Sequence, residues 1–286
     1  MVEKNIQEGK FCKIFCKSEA KMSFKIGWFS TGKDRQARVL LQKAQDAIKR
    51  GKIGDIKICY IFCNREWGEE KESDRFIKLA REMDIPLICF SSRKFKPDLR
   101  KKALEEAKRG NFEPIKKWRI LYDRQVLTRI QEYRVEVIFL AGYMLILGDE
   151  LCERFTILNL HPALPEGPKG TWQQVIWDLI KKEEDQTGIM IHQVTPQLDA
   201  GPALTYCKFS IKGERFDPLW DKIRQKLTYK TFSQIQKEEG EKEPLFSAIR
   251  GEQKKREIPL VLATLDFLAQ GRLNLKKLKK PILLEV

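Results

Sequence analysis

KIGWFSTGKDRQARVLLQKAQDAIKRGKIGDIKICYIF, residues 25–62, decides the fold of this 286-residue chain. Lys25 to Phe29 is a short apolar run with the length of a strand, and STGKD turns the chain after it. From about Arg35 to Arg50 the residues Ala37, Leu40, Leu41, Ala44 and Ile48 recur on one helical face. Ile56 to Phe62 is strand-like again and too apolar to be half exposed. A strand, a helix and a second buried strand in that order read as a parallel sheet joined by crossover helices.

The same alternation continues outward. Ser73 is a candidate cap for a helix from Asp74 to Met83, Ile85-Pro86 ends it, and Leu87 to Phe90 is a third strand. Two charged helices follow, from Pro97 to about Arg109 and from about Lys116 to Tyr133, before the buried strand Val135 to Leu140. Thr156 to Leu160 is another strand, and a helix follows Thr171. Gly188 to Val194 and Ala203 to Phe209 read as strands flanking the turn TPQLDAGP. From Lys212 the chain is mostly charged helix, with an apolar helix near Pro259 to Leu268. The expected fold is α/β: a Rossmann-like, mostly parallel sheet with helices on both faces, plus a charged, mostly helical C-terminal extension. The expected organisation is an N-terminal extension over residues 1–22, a catalytic domain over 23–210, and a helical extension over 211–286 packed on it. Met22 stands just before the first strand and reads as an alternative start.

Lys and Arg number 55 against 40 Asp and Glu, a formal charge of +15. Such a field suits phosphorylated metabolites, polyglutamate-type ligands or nucleic acid. Acidic residues are interleaved throughout, so most of the charge reads as solvated surface. Seven cysteines, two histidines and no paired CxxC argue against a disulfide framework and a structural zinc site. The expectation is a reduced, cytoplasmic protein. No run of about 18 apolar residues is present, so no membrane span is expected, and the first ten residues lack the apolar core of a signal peptide.

A parallel sheet binds ligands outside the carboxyl ends of its strands. The loops expected there are Ser30 to Asp34, Ala141 to Leu147, Asn159 to Trp172 and Thr195 to Pro202. Asn159 and His161 are two apart and face one side of an extended backbone, and His161 precedes a proline that favours that backbone. By itself this stretch reads equally well as a strand end with a hydrogen-bonded amide and a half-buried imidazole. Asp199 sits on a tight DAGP turn. An amide donor, an imidazole and a carboxylate together meet the needs of acyl transfer.

AGYMLIL, NLHPALP and TGIMIHQVTPQLDAGP, in this order and at these spacings, resemble the formyltransferases that use 10-formyltetrahydrofolate, most closely those acting on phosphoribosylglycinamide. The resemblance covers roughly Ser23 to Phe209. It implies that Asn159, His161 and Asp199 are catalytic, and that Met144, Leu145, Ile146 and Leu147 with Thr195, Pro196, Gln197 and Leu198 bind the folate. Thr187 and His192 match supporting positions, where strand packing is an equally good reading. The implied co-substrate is 10-formyltetrahydrofolate, the implied acceptor glycinamide ribonucleotide, and no metal is required. Small-molecule substrates are expected, a homodimer is compatible, and no nucleic-acid or membrane partner is expected.

The chain departs from the family at its substrate loops. STGKDRQA carries one glycine where a glycine-rich phosphate cradle is usual, so Gly32, Lys33, Asp34 and Arg35 are the phosphate candidates. PEGPKGTW places Lys169, Gly170 and Thr171 after the histidine, and Leu145 replaces an arginine. The region Arg100 to Trp118 resembles an insertion. Three alternatives stay open. A formyltetrahydrofolate hydrolase would use water as acceptor; proteins of that kind carry a preceding regulatory domain and often lack the proline found here as Pro162. A formyltransferase acting on aminoacyl-tRNA or an amino sugar would keep the chemistry and change the acceptor. A non-catalytic folate-binding protein would keep only the fold.

Overall fold

The computed structural model describes residues 23–197, 200–275, 278 and 280–286. One eight-stranded sheet runs through it in the order β3-β2-β1-β4-β5-β6-β7-β8. The strands are β1 (Phe24–Ser30), β2 (Ile56–Cys63), β3 (Leu87–Cys89), β4 (Val137–Leu140), β5 (Ile157–His161), β6 (Gln186–Gln193), β7 (Ala203–Ser210) and β8 (Ile282–Leu283). From β3 to β5 every pair is parallel. β5–β6 and β6–β7 are antiparallel, and β7–β8 is parallel again. This is the expected mostly parallel α/β sheet.

The helices are α1 (Arg35–Lys49), α2 (Lys71–Arg81), α3 (Pro97–Lys108), α4 (Glu113–Ile130), α5 (Asp149–Arg154), α6 (Trp172–Lys181), α7 (Asp217–Leu227), α8 (Phe232–Glu238) and α9 (Pro244–Ala269). The alternation of strand side chains sorts the core into two layers. Trp28 and Phe139 point to one face, where α1, α2 and the second half of α9 cover them through Leu41, Phe76 and Leu265. Phe29 and Ile138 point to the other, against Trp118, Tyr122 and Val126 of α4 and Leu151 of α5. A third cluster joins α6, α7, α8 and the start of α9 around Trp177, Trp220 and Phe246.

Several local expectations need correction. α2 starts at Lys71, with Glu70 in the cap position. Ser73 is not its cap: the residue is buried, and its hydroxyl donates to Thr31 O at 3.0 Å. Pro259 does not open an apolar helix but lies inside α9. Proline removes one helical hydrogen bond; Pro259 and Lys255, whose carbonyl would have received it, are both exposed, so water can take that place. α9 therefore spans two environments, its first half in the third cluster and its second half against β6, β7 and α1. The C-terminal residues thus complete the main core, and β8 extends the sheet beyond β7. Cys207 is buried, whereas Cys59 and Cys89 are only partly so. The expected N-terminal extension, residues 1–22, lies outside the described residues.

Candidate active site

β1, β4 and β5 run parallel, end on the same side of the sheet and bring their loops together. Thr31, just past β1, donates its backbone N–H to Gly142 O at 3.0 Å, and its hydroxyl accepts from Met144 N at 2.8 Å. Gly142 takes φ +71 to make this approach, a conformation that L side chains rarely adopt. The loop after β4 is thereby tied to the loop after β1. Met144 and Ile146 are exposed at 46% and 36%, while Leu147 turns inward. Two exposed apolar side chains held by a pinned backbone form a surface suited to a flat organic ligand. The far end of the loop is held by Asp123 of α4, whose Oδ2 accepts from Gly148 N at 2.6 Å. Burial pushes the Asp123 carboxyl up to about 7, against the Gly148 hydrogen bond and the Arg119 charge, which favour ionisation.

β5 carries Asn159 and His161 on one face. Antiparallel pairing sets Asn159 opposite His192 and His161 opposite Met190. Asn159 Nδ2 lies 3.1 Å from His192 Nε2, and His192 Nδ1 lies 3.1 Å from Gln193 O. A carbonyl can only accept, so His192 carries its hydrogen on Nδ1 and receives the Asn159 amide on Nε2. His161 Nε2 lies 3.0 Å from Pro168 O, so that nitrogen donates to the loop that follows. The two imidazoles stand edge to face with centroids 6.0 Å apart. His161 is 3% exposed, more buried than the sequence suggested, because the loop folds back over it. Gly188 permits that fold: a Cβ there would lie 2.6 Å from Leu164 Cδ2 and 2.1 Å from Cys207 O.

Asn159, His161 and His192 are therefore brought together. Asp199 and Leu198 lie outside the described residues. Contrary to what the sequence suggested, Thr195, Pro196 and Gln197 do not leave the sheet where the other three loops do: β6 is antiparallel to β5, Val194 N donates to Ile157 O at the start of β5 at 2.8 Å, and beyond it the Thr195 hydroxyl donates to Gln197 O at 3.1 Å. Thr187 does not join the group. It lies five positions before His192 on β6, about 17 Å along a strand, and on the opposite face.

The phosphate candidates divide. Gly32 is buried with φ +62, while Lys33 and Arg35 are exposed. Asp34 is the N-cap of α1, its carboxylate accepting from Ala37 N at 2.9 Å, so it occupies part of the helix terminus an anion would use. Lys169 is exposed, and Gly170 takes φ +107. Thr171 is committed to a capping box with Gln174 at the start of α6. Sequence reasoning missed Asp123 and three α9 contacts. Gln253 Nε2 donates to Pro162 O at 2.9 Å, and the Arg250 guanidinium lies 4.7 Å from the Trp172 ring, which also packs on Phe246. No local pattern marks those residues.

The phosphoribosylglycinamide formyltransferase of Dictyostelium discoideum is 32% identical over 124 residues, 35% of this chain and 60% of that protein. The enzyme of the same name from Escherichia coli is 30% identical over 92 residues, 32% of this chain and 42% of that protein. The chain thus spans about half the length of these relatives. A methionyl-tRNA formyltransferase of Wolbachia pipientis is also similar, 28% identical over 144 residues, 48% of this chain and 40% of that protein. Among solved structures, glycinamide ribonucleotide transformylase 1 of Symbiobacterium toebii superposes with a TM-score of 0.60 at 18% identity, covering 91% of this chain and 94% of that one. A Pseudomonas putida formyltetrahydrofolate deformylase superposes at 0.55 and 17% identity, covering 90% and 69%. At these identities the structures establish the fold. The sequence model described as formyl transferase matches residues 40–226, which is more than half of the chain and contains β5, β6 and the loops between them. On that match the protein is a member of the formyl transferase family.

Proposed function

We propose that this protein transfers a formyl group from 10-formyltetrahydrofolate to a primary amine, with glycinamide ribonucleotide as the acceptor. The observation that carries the reading is the meeting of Asn159, His161 and His192 on one face of β5 and β6, beside the pinned apolar loop 144–147, in a chain of this family. The folate's flat end lies against Met144 and Ile146, and the acceptor enters from the loops after β1 and β5.

The acceptor nitrogen attacks the formyl carbon and its carbonyl oxygen gathers negative charge. One hydrogen of the Asn159 amide goes to His192, and the second is free to point at that oxygen. His192 thus acts through Asn159 by fixing the plane of its amide. His161 holds a proton near the same oxygen, stabilising the tetrahedral intermediate. Asp199, by the family resemblance, moves the proton released from the amine toward the folate nitrogen as the carbon–nitrogen bond to the donor breaks.

The test is an acceptor screen with 10-formyltetrahydrofolate, following tetrahydrofolate release with glycinamide ribonucleotide, methionyl-tRNA, an amino sugar or water alone. Turnover stimulated by glycinamide ribonucleotide and abolished in His161→Ala and Asp199→Asn is the expected result. Release without any amine would assign hydrolysis, and stimulation only by a different amine would replace the acceptor. Parental rates in both variants would remove the catalytic assignment.

A further inference from the structure

Helix α9 reaches the histidine loop through one side chain. Gln253 is completely buried, and its Nε2 donates to Pro162 O at 2.9 Å. Its Oε1 lies 3.5 Å from Arg250 Nη1, and the same nitrogen is 2.6 Å from Glu257 Oε1. The Arg250 and Glu257 side chains are 11% and 6% exposed, so this pair is held in a protected setting. An amide whose oxygen faces a guanidinium must turn its nitrogen the other way. The Arg250–Glu257 pair therefore sets the direction in which Gln253 donates.

The bond falls at a sensitive place. Pro162 follows His161 directly and has no N–H, so its carbonyl is the only backbone hydrogen-bonding group it offers. The loop then returns to His161 through Pro168 O and ends at Trp172, over which Arg250 is stacked. Arg250 and Gln253 are three apart and share a helical face. One turn of α9 thus holds both ends of the loop that begins at His161.

We propose that Gln253 is a positioning residue, which fixes the direction of the chain as it leaves β5 and with it the His161 imidazole. The kinetic consequence rests on the function proposed above; the structural consequence does not. The chain has only two histidines, so it gives two imidazole Hε1 resonances, assignable with His161→Asn and His192→Gln. In Gln253→Met, which keeps the volume and removes the donor, the His161 resonance moves. Formyl transfer falls about 10²-fold in kcat, the scale on which a displaced catalytic group is felt, with the KM for the folate unchanged. Gln253→Glu, which keeps the shape and loses the N–H donor, acts in the same direction. Should Gln253→Met fail to fold by circular dichroism, Arg250→Lys keeps a charge for Glu257, loses the guanidinium geometry, and carries the same expectation. A folded Gln253 variant with an unmoved His161 resonance overturns the proposal, whatever its rate. A moved resonance in a parent protein without formyl transfer keeps the positioning role and rejects the function.

Discussion

Asp123 gives the sharpest quantitative prediction. Its carboxyl is 3% exposed, and burial lifts its pKa from the ordinary 3.8 to about 7. A displacement of that size corresponds to a penalty on the order of 4 kcal/mol for the charged form. Between those two values the native state holds a proton that the unfolded chain has released. Stability therefore falls as pH rises from about 4 to about 7, and stays low above it. Asp123→Asn removes the charge and keeps an oxygen for Gly148 N, which is 2.6 Å away. The added amide hydrogens must find partners in a buried setting, a cost of about 1–3 kcal/mol. The expected net effect is stabilisation by roughly 1–3 kcal/mol at pH 8 and little change at pH 5, where the penalty on the parent, whose carboxyl is ionised only when unfolded, is about 2 kcal/mol and offsets the amide cost. Urea unfolding of parent and variant at pH 5, 6.5 and 8 measures this directly. Other titrating groups are common to both proteins and cancel in the difference. Glu252, held down to about 2 by Lys255, Arg256 and Arg215 against its own desolvation, titrates below this window. A variant whose stability difference from the parent does not vary with pH would refute the reasoning.

Other outcomes follow from the same structure. Asn159→Ala should lower kcat by about 10²–10³ as an oxyanion donor is lost, with unfolding curves close to those of the parent. Gly188→Ala places a methyl 2.1 Å from Cys207 O, so it should destabilise by about 1–3 kcal/mol and loosen the loop over His161, seen as faster amide exchange in residues 162–170. Leu265→Ala should cost about 2–5 kcal/mol in a single unfolding transition, because that fully buried side chain of α9 belongs to the main core; a separate early transition would mean that the C-terminal helix unfolds by itself. Lys226 pairs with Glu243, a fully buried carboxylate that also caps α9 at Phe246 N. Lys226→Met should therefore destabilise by on the order of 2–3 kcal/mol, and Lys226→Met/Glu243→Gln should recover part of that loss in thermal melts.

The legible part of this protein is the part written in local periodicity. The helical stripe from Ala37 to Ile48 and the run Ile56 to Phe62, apolar except for Lys57, read as a surface helix and a strand covered on both faces, because those patterns match one backbone geometry each. Two such units in succession leave few topologies besides a parallel sheet. The two-residue spacing of Asn159 and His161 places them on one face for the same reason. Side-chain competition was less legible. Ser73 has the chemistry of a cap, yet its hydroxyl goes to Thr31 O, 42 positions earlier. Asp34 has the position of a phosphate ligand and is used as a helix cap. Pro259 has the character of a helix start and lies within a helix, since a proline on a solvent face loses little.

Tertiary structure alone decided what surrounds the histidine. His192 meets Asn159 because antiparallel register sets them opposite, and nothing near either residue specifies register. Asp123 reaches the loop after β4 from 25 positions away, and Gln253 reaches Pro162 across 91. Such contacts depend on how α4 and α9 pack, which is settled by the sum of buried surface over whole helices and leaves no mark at the residues that meet. The sequence by itself determined a parallel α/β chain with an amide and an imidazole at one strand end. Packing decided which partners orient that amide, which helix braces that imidazole, and which carboxyl is buried beneath the loop beside them.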